Sequence, residues 1–135
     1  MMRFVKQVAP MLSLAVLGAA AVAEAGSAGE FASCYKATDG SGYCYGTMRG
    51  FLNHVDPNTY LLFFEDSYGR KSMYGSYPFS SPTGMSYSFS CSPNSAVAAM
   101  WPSVMQHRGY IEVYWDINGI CTSMWLMHGS NYTDF

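Results

Sequence analysis

The chain has 135 residues, of which 12% are charged and 16% aromatic, with seven Lys and Arg against nine Asp and Glu for a net charge of −2. A length of this order holds one domain, and a slightly acidic balance argues against nucleic acid or another polyphosphate as partner, because such ligands need clustered cations. Eleven Tyr and eight Phe describe a β-rich surface kept soluble by Tyr, Ser, Asn and Gly, with aromatic faces of the kind that meet a partner.

The first residues, Met-Met-Arg-Phe-Val-Lys, set Arg3 and Lys6 before an uncharged apolar stretch from Val8 to Val22 that ends in small residues. This is the order of a secretory signal peptide. The stretch contains Pro10 and Gly18 and runs about 15 residues, short of the roughly 20 that span a bilayer, so no stable membrane insertion is expected after cleavage. Cleavage after Ala23 or Ala25 starts the mature chain at Glu24 or Gly26, and removing residues 1–23 leaves five basic residues against nine acidic ones. Cys34 stands too far beyond the apolar stretch to be a lipidated cysteine. The expected organisation is a signal peptide over 1–23, a flexible leader over 24–33 and a single disulfide-bonded β-barrel domain over 34–135, in a secreted or periplasmic protein. Cys34, Cys44, Cys91 and Cys121 are an even set suited to an oxidising compartment, and three pairings are open to them.

Cys34 and Cys44 flank Thr38-Asp39-Gly40-Ser41-Gly42, a run of turn formers that a bridge could staple. Tyr43 to Leu52 reads as a first strand, and after the turn Asp56-Pro57-Asn58, Tyr60 to Glu65 reads as a second that closes a hairpin with it. A turn over Ser67 to Arg70 leads into a third strand, Lys71 to Tyr77. Pro78 to Gly84 then forms a loop, and Met85 to Ser90 is extended again. Val97, Met100, Trp101, Val104 and Met105 recur at helical spacing, predicting one helix of about three to four turns. Ser92 or Asn94 caps it, Pro93 fits its first turn, Pro102 bends it and Gly109 ends it. Tyr110 to Trp115 alternates, with Ile111, Val113 and Trp115 on one face and Tyr110, Glu112 and Tyr114 on the other. The turn Asp116-Ile117-Asn118-Gly119 returns the chain along Ile120 to Met127.

Three strands, a helix and a closing hairpin follow the order of an OB-fold, so the expected class is mainly β with one helix, a five-stranded Greek-key barrel with its helix between strands 3 and 4. The segment Cys44-Tyr-Gly-Thr-Met-Arg-Gly-Phe-Leu, Cys91 with the helix, Gly109-Tyr-Ile-Glu-Val-Tyr-Trp-Asp and Cys121 resemble a group of small exported bacterial OB-fold proteins over residues 42 to 128. In pattern these are similar to the receptor-binding B subunits of pentameric toxins of the subtilase-cytotoxin type. The resemblance implies a binding role and a bridge between Cys91 and Cys121. It transfers no sugar-contacting residue, because in the B subunits those lie in loops that do not align. Short, turn-rich separation favours Cys34 with Cys44, and the competing arrangement joins Cys44 to Cys121.

No Ser-His-Asp, Cys-His or helical His-pair signature is present. His54, His107 and His128 are scattered, without a carboxylate or second His at ligand spacing, and no metal or cofactor is expected. Met124, Met127 and His128 have soft donors, but strand alternation sends Met124 and Met127 to opposite faces. Glu65, Asp66, Arg49 and Arg70 would be the carboxylates and arginines of a metal-dependent OB nuclease, yet adjacent Glu65 and Asp66 diverge in a strand. The residues thus describe a non-enzymatic binding module for a glycan or protein ligand, reached through Tyr60, Tyr74, Tyr77 and Tyr114, with homo-oligomerisation compatible with its aromatic faces. The alternatives are an envelope protein or small inhibitor without sugar affinity and, last, the nuclease.

Overall fold

A computed structural model of the chain describes residues 29–81 and 84–129, and the expected signal peptide lies outside them. Its first strand is one that composition alone hides. The sequence assigns residues up to Ser33 to a leader, but Ala32 and Ser33 open β1 (Ala32–Lys36), which pairs antiparallel with β2 (Gly42–Thr47). Phe31 is pinned just ahead of it, its carbonyl accepting from the Thr47 N–H at 2.9 Å and its ring 6.4 and 6.0 Å from those of Tyr45 and Tyr110.

The strand read over Tyr43 to Leu52 stops at Thr47. The buried Thr47 hydroxyl accepts from the Gly50 N–H at 2.9 Å and caps a short helix, α1 (Met48–Leu52), which turns the chain out of the ladder. The expected first hairpin therefore does not form. β3 (Tyr60–Glu65) lies at the far edge of the sheet and pairs with β4 (Lys71–Ser81), which pairs in turn with β5 (Gly84–Pro93). The expected loop over Pro78 to Gly84 is mostly strand. Pro78 is accommodated because it falls in the register shift between Ser76 and Phe79, where the ladder is already interrupted.

Two short helices, α2 (Ser95–Ala99) and α3 (Trp101–Val104), replace the single predicted one. Pro102 has no N–H to offer the Ala98 carbonyl, so the helix breaks at Met100. Asn94 is the cap, its Oδ1 accepting from the Val97 N–H at 2.9 Å, while Pro93 closes β5 instead of opening the helix. Val97, Trp101 and Val104 are buried as the stripe requires, but Met105 lies past the end of α3 and is half exposed. β6 (Tyr110–Trp115) and β7 (Ile120–Met127) form the closing hairpin. In its turn the Asp116 carboxylate accepts from the Asn118 and Ile120 N–H groups, and Gly119 takes a φ of +69°.

The seven strands form one curled, half-barrel sheet in the order β1-β2-β6-β7-β5-β4-β3. This is mainly β, as expected, with seven strands in place of five, one short helix after the second and two after the fifth. β1 and the Pro78-spanning β4–β5 ladder account for the difference. β5 joins the two halves of the sheet: it pairs with β4 along most of its length and with β7, in parallel, only at Ser92 and Pro93. The core lies inside the curl, where fully buried Trp101 meets Phe63 edge-on at 5.7 Å beside Val97, Val104, Met73, Ile111 and Val113. Cys34 is bonded to Cys44 across the β1–β2 hairpin, and Cys91 to Cys121 across the β5–β7 seam, with Cα atoms 4.1 and 5.2 Å apart. The arrangement joining Cys44 to Cys121 is thereby excluded. Two bridges that use all four cysteines are compatible with an oxidising extracellular or periplasmic location.

Candidate functional site

Because β5 meets β7 only at its end, the stretch Ser88 to Ser90 has no strand opposite it on that side among the described residues. A cleft of about 530 Å³ opens there. Tyr60 and Tyr74 stand on one side, Ser88 and Ser90 lie along β5, and the tips of the β1–β2 and β6–β7 hairpins, with Lys36 and Asn118, form the other wall. At its base Phe89 lies flat on Trp115, with ring centroids 5.0 Å apart and planes 3° from parallel. The indole N–H of Trp115 donates to the Gly40 carbonyl at 2.9 Å, and the Lys36 ammonium donates to the Ser88 carbonyl at 3.1 Å. The Lys36 bond ties the β1–β2 hairpin to β5 in the other half of the sheet, and the Trp115 bond fixes the hairpin's turn to neighbouring β6. Among the described residues Lys36 is the one charged side chain lining the cleft.

Of the four tyrosines singled out by sequence, two meet here. Tyr74 lies opposite Leu62 and Tyr60 opposite Ser76, so the two rings are diagonal neighbours on one sheet face, 44% and 51% exposed. Tyr77 is elsewhere. Its ring is half-buried against the core, 5.6 Å from Phe79 and 5.2 Å from His54, so it supports the fold instead of a ligand surface. Tyr114 belongs to a different face, beside Tyr43 at 5.4 Å, and its hydroxyl donates to Glu112. That bond, more than any other influence, holds the phenol above its usual pKa.

Lys36, Ser88, Ser90 and Asn118 escaped the sequence reading. For the serines a signal exists: Ser88, Ser90 and Ser92 alternate along one strand, so the three share a face. Lys36 had none, since its strand was read as leader and turn.

The remaining candidates disperse. Glu65 pairs with Lys71 at 2.8 Å and Asp66 with Arg70 across the β3–β4 turn, while Arg49 pairs with Glu30 at 2.7 Å. Asp66 also accepts from the Tyr68 and Arg70 N–H groups, as a turn-closing carboxylate does. Met124 is buried and Met127 exposed, on opposite faces as strand alternation requires. One histidine expectation is corrected. His107 and His128, distant in sequence, are brought together by the end of α3 and the end of β7, with Nδ1 of the first 3.1 Å from Nε2 of the second. Nε2 of His107 lies 2.6 Å from the Tyr110 carbonyl and must donate to it, which leaves Nδ1 to accept from His128. Burial holds the His107 pKa below its ordinary value. Among the described residues no third His, Cys, Asp or Glu joins the pair to make a metal-binding group.

A second, more apolar cavity of about 730 Å³ lies between α1, the start of β3 and the segment after α3, lined by Met48, Leu52, Pro57, Leu61 and Met105. Comparison with protein-family models, with curated proteins and with solved structures finds no match to this chain.

Proposed function

We propose that this is an exported, non-enzymatic saccharide-binding module whose site is the cleft at the β5 seam. The observation that carries the reading is the exposed pair Tyr60 and Tyr74 facing Lys36, Asn118, Ser88 and Ser90 across one opening. A sugar ring presents C–H groups on its faces and hydroxyls around its rim. Aromatic rings take the former, and amide, hydroxyl and ammonium groups the latter. The resemblance to toxin B subunits points in the same direction, and there light scattering would find a ring of subunits.

The test is a glycan array probed with the mature, oxidised domain and with Tyr60→Ala/Tyr74→Ala. Retention of a defined saccharide by the parent, reduced tenfold or more in the variant, is the expected result. A parent that retains no saccharide, or a variant that retains it equally, overturns the reading in favour of an envelope protein or inhibitor. Digestion of plasmid DNA in the presence of magnesium would favour the nuclease instead.

A further inference from the structure

Tyr110, Glu112 and Tyr114 share the face of β6 opposite Ile111 and Val113; Tyr110 is buried beside Phe31, Glu112 and Tyr114 reach solvent, and none of the three lines the cleft. Glu112 lies opposite Tyr45 on β2 and opposite Trp125 on β7. One carboxylate thus stands at the centre of four aromatic residues, two along its own strand and one on either side. Tyr110 and Tyr114 donate their hydroxyls to its two different oxygens, the first at 3.0 Å. Tyr43 continues the aromatic row, 5.4 Å from Tyr114 and 6.2 Å from Tyr45, and the Trp125 indole is 62% exposed.

The other described carboxylates each have an evident structural role. Glu30, Glu65 and Asp66 are ion-paired, and Asp39, Asp56 and Asp116 close turns by accepting backbone N–H groups. Glu112 has no cationic partner among the described residues. Each of its oxygens holds one hydroxyl and keeps a second lone pair.

We propose that this face is the docking site for an arginine side chain presented by a protein partner. The carboxylate supplies the opposite charge and the exposed rings of Tyr114 and Trp125 supply cation–π attraction. A guanidinium is planar, so it can lie on a ring while its edge donates to a carboxylate. It also sheds water more readily than an ammonium, which favours arginine over lysine. The aromatic row runs on to Tyr35 on β1, 5.7 Å from Tyr43, wider than one side chain covers, which is why the guanidinium is assigned to a protein and not to a free small cation.

The proposal is tested by NMR titration of the mature domain, at low ionic strength, with a capped Gly-Arg-Gly peptide and its Gly-Lys-Gly counterpart. The expected result is that the Trp125 and Tyr114 ring signals shift with the arginine peptide, at an affinity severalfold above that for lysine. Glu112→Gln and Trp125→Ala each weaken arginine binding severalfold, whereas Tyr74→Ala, in the cleft, leaves it unchanged. Equal response to both peptides, no shift at this face, or undiminished binding by Glu112→Gln in a folded variant overturns it.

Discussion

A Cβ on Gly75 would stand 2.0 Å from Cζ of Phe89, the residue directly opposite it on β5. The bare backbone of β4 is therefore what lets the Phe89 ring lie over to Trp115 and form the base of the cleft. Gly75→Ala forces that ring away, and overpacking of this kind costs about 1–3 kcal/mol. Urea denaturation should show a lower midpoint with an unchanged slope. A neutral Gly75→Ala would contradict the packing described for Phe89.

Trp101 is fully buried, with its indole N–H lacking a hydrogen-bond partner among the described residues. Trp101→Ala should cost on the order of 3–5 kcal/mol, a large part of a small domain's stability. Trp101→Phe keeps much of the contact with Phe63 and removes an unsatisfied donor, so it should cost markedly less. Tyr114→Ala, on the outer face, should cost under about 1 kcal/mol. Equilibrium melts of the three variants rank them, and a Tyr114 variant less stable than the Trp101→Ala variant would reverse the assignment of inner and outer faces.

The two disulfides close loops of different length, with sequence separations of 10 and 30. Chain-entropy reasoning gives about 3 kcal/mol for the Cys34–Cys44 bridge and about 4 kcal/mol for Cys91–Cys121. Replacing the second pair with alanine should be the more damaging change, because it also frees the short seam at Ser92 and Pro93 that joins β5 to β7. Differential scanning calorimetry of the two double variants would show it.

Acid should weaken the domain in two stages. The His107 imidazole is buried beside Tyr110 and His128, and burial lowers its pKa in the folded state. An unfolded chain takes up that proton below about pH 6.5, whereas the folded chain resists it, so the contribution is complete above that pH and is lost as pH falls through the lower folded value. Asp39 and Asp66 are held below the usual carboxylate range, the first mainly by the Ser41 hydroxyl and the second mainly by the Arg70 backbone N–H. Asp39 is exposed and Asp66 is half-buried in its turn, and their weakening comes only at the lower pH where carboxylates titrate. Urea midpoints measured from pH 8 to 5 should fall, and His107→Gln should flatten that slope.

The alternation of Tyr110 to Trp115, the Asn-Gly turn and the Cys34–Cys44 bridge were legible because each depends on residues close together or on a strict period of two, whereas the Cys91–Cys121 bridge, 30 residues apart, was expected only from the resemblance. Helix content was legible but its continuity was not. The apolar stripe ran through Met100, while the lost hydrogen bond at Pro102 decided the local outcome. Two strands were misjudged for tertiary reasons: Ala32–Lys36 is small and polar in sequence and becomes a strand only because β2 offers it a ladder, and Pro78 reads as a breaker until a bulge receives it. Half of the tyrosine set converged because Tyr60 and Tyr74 sit on paired strands. Nothing local could show that Lys36 reaches Ser88 from the opposite end of the curled sheet.

The strand order also fixes a sequence of events in time. Hairpins β1–β2, β3–β4–β5 and β6–β7 each close over a short connection, on the microsecond scale of local events, but β2 meets β6 only when Cys44 finds Val113, about half the chain away. Synthesis runs from the N-terminus, so β1 and β2 wait with one edge unpaired until nearly the whole chain exists. Tyr35, Tyr43 and Tyr45 spend that interval beside an open ladder edge. Aggregation during production should therefore begin at the β1–β2 hairpin, and slowing the arrival of residues 110–127 should aggravate it more than destabilising the finished domain does.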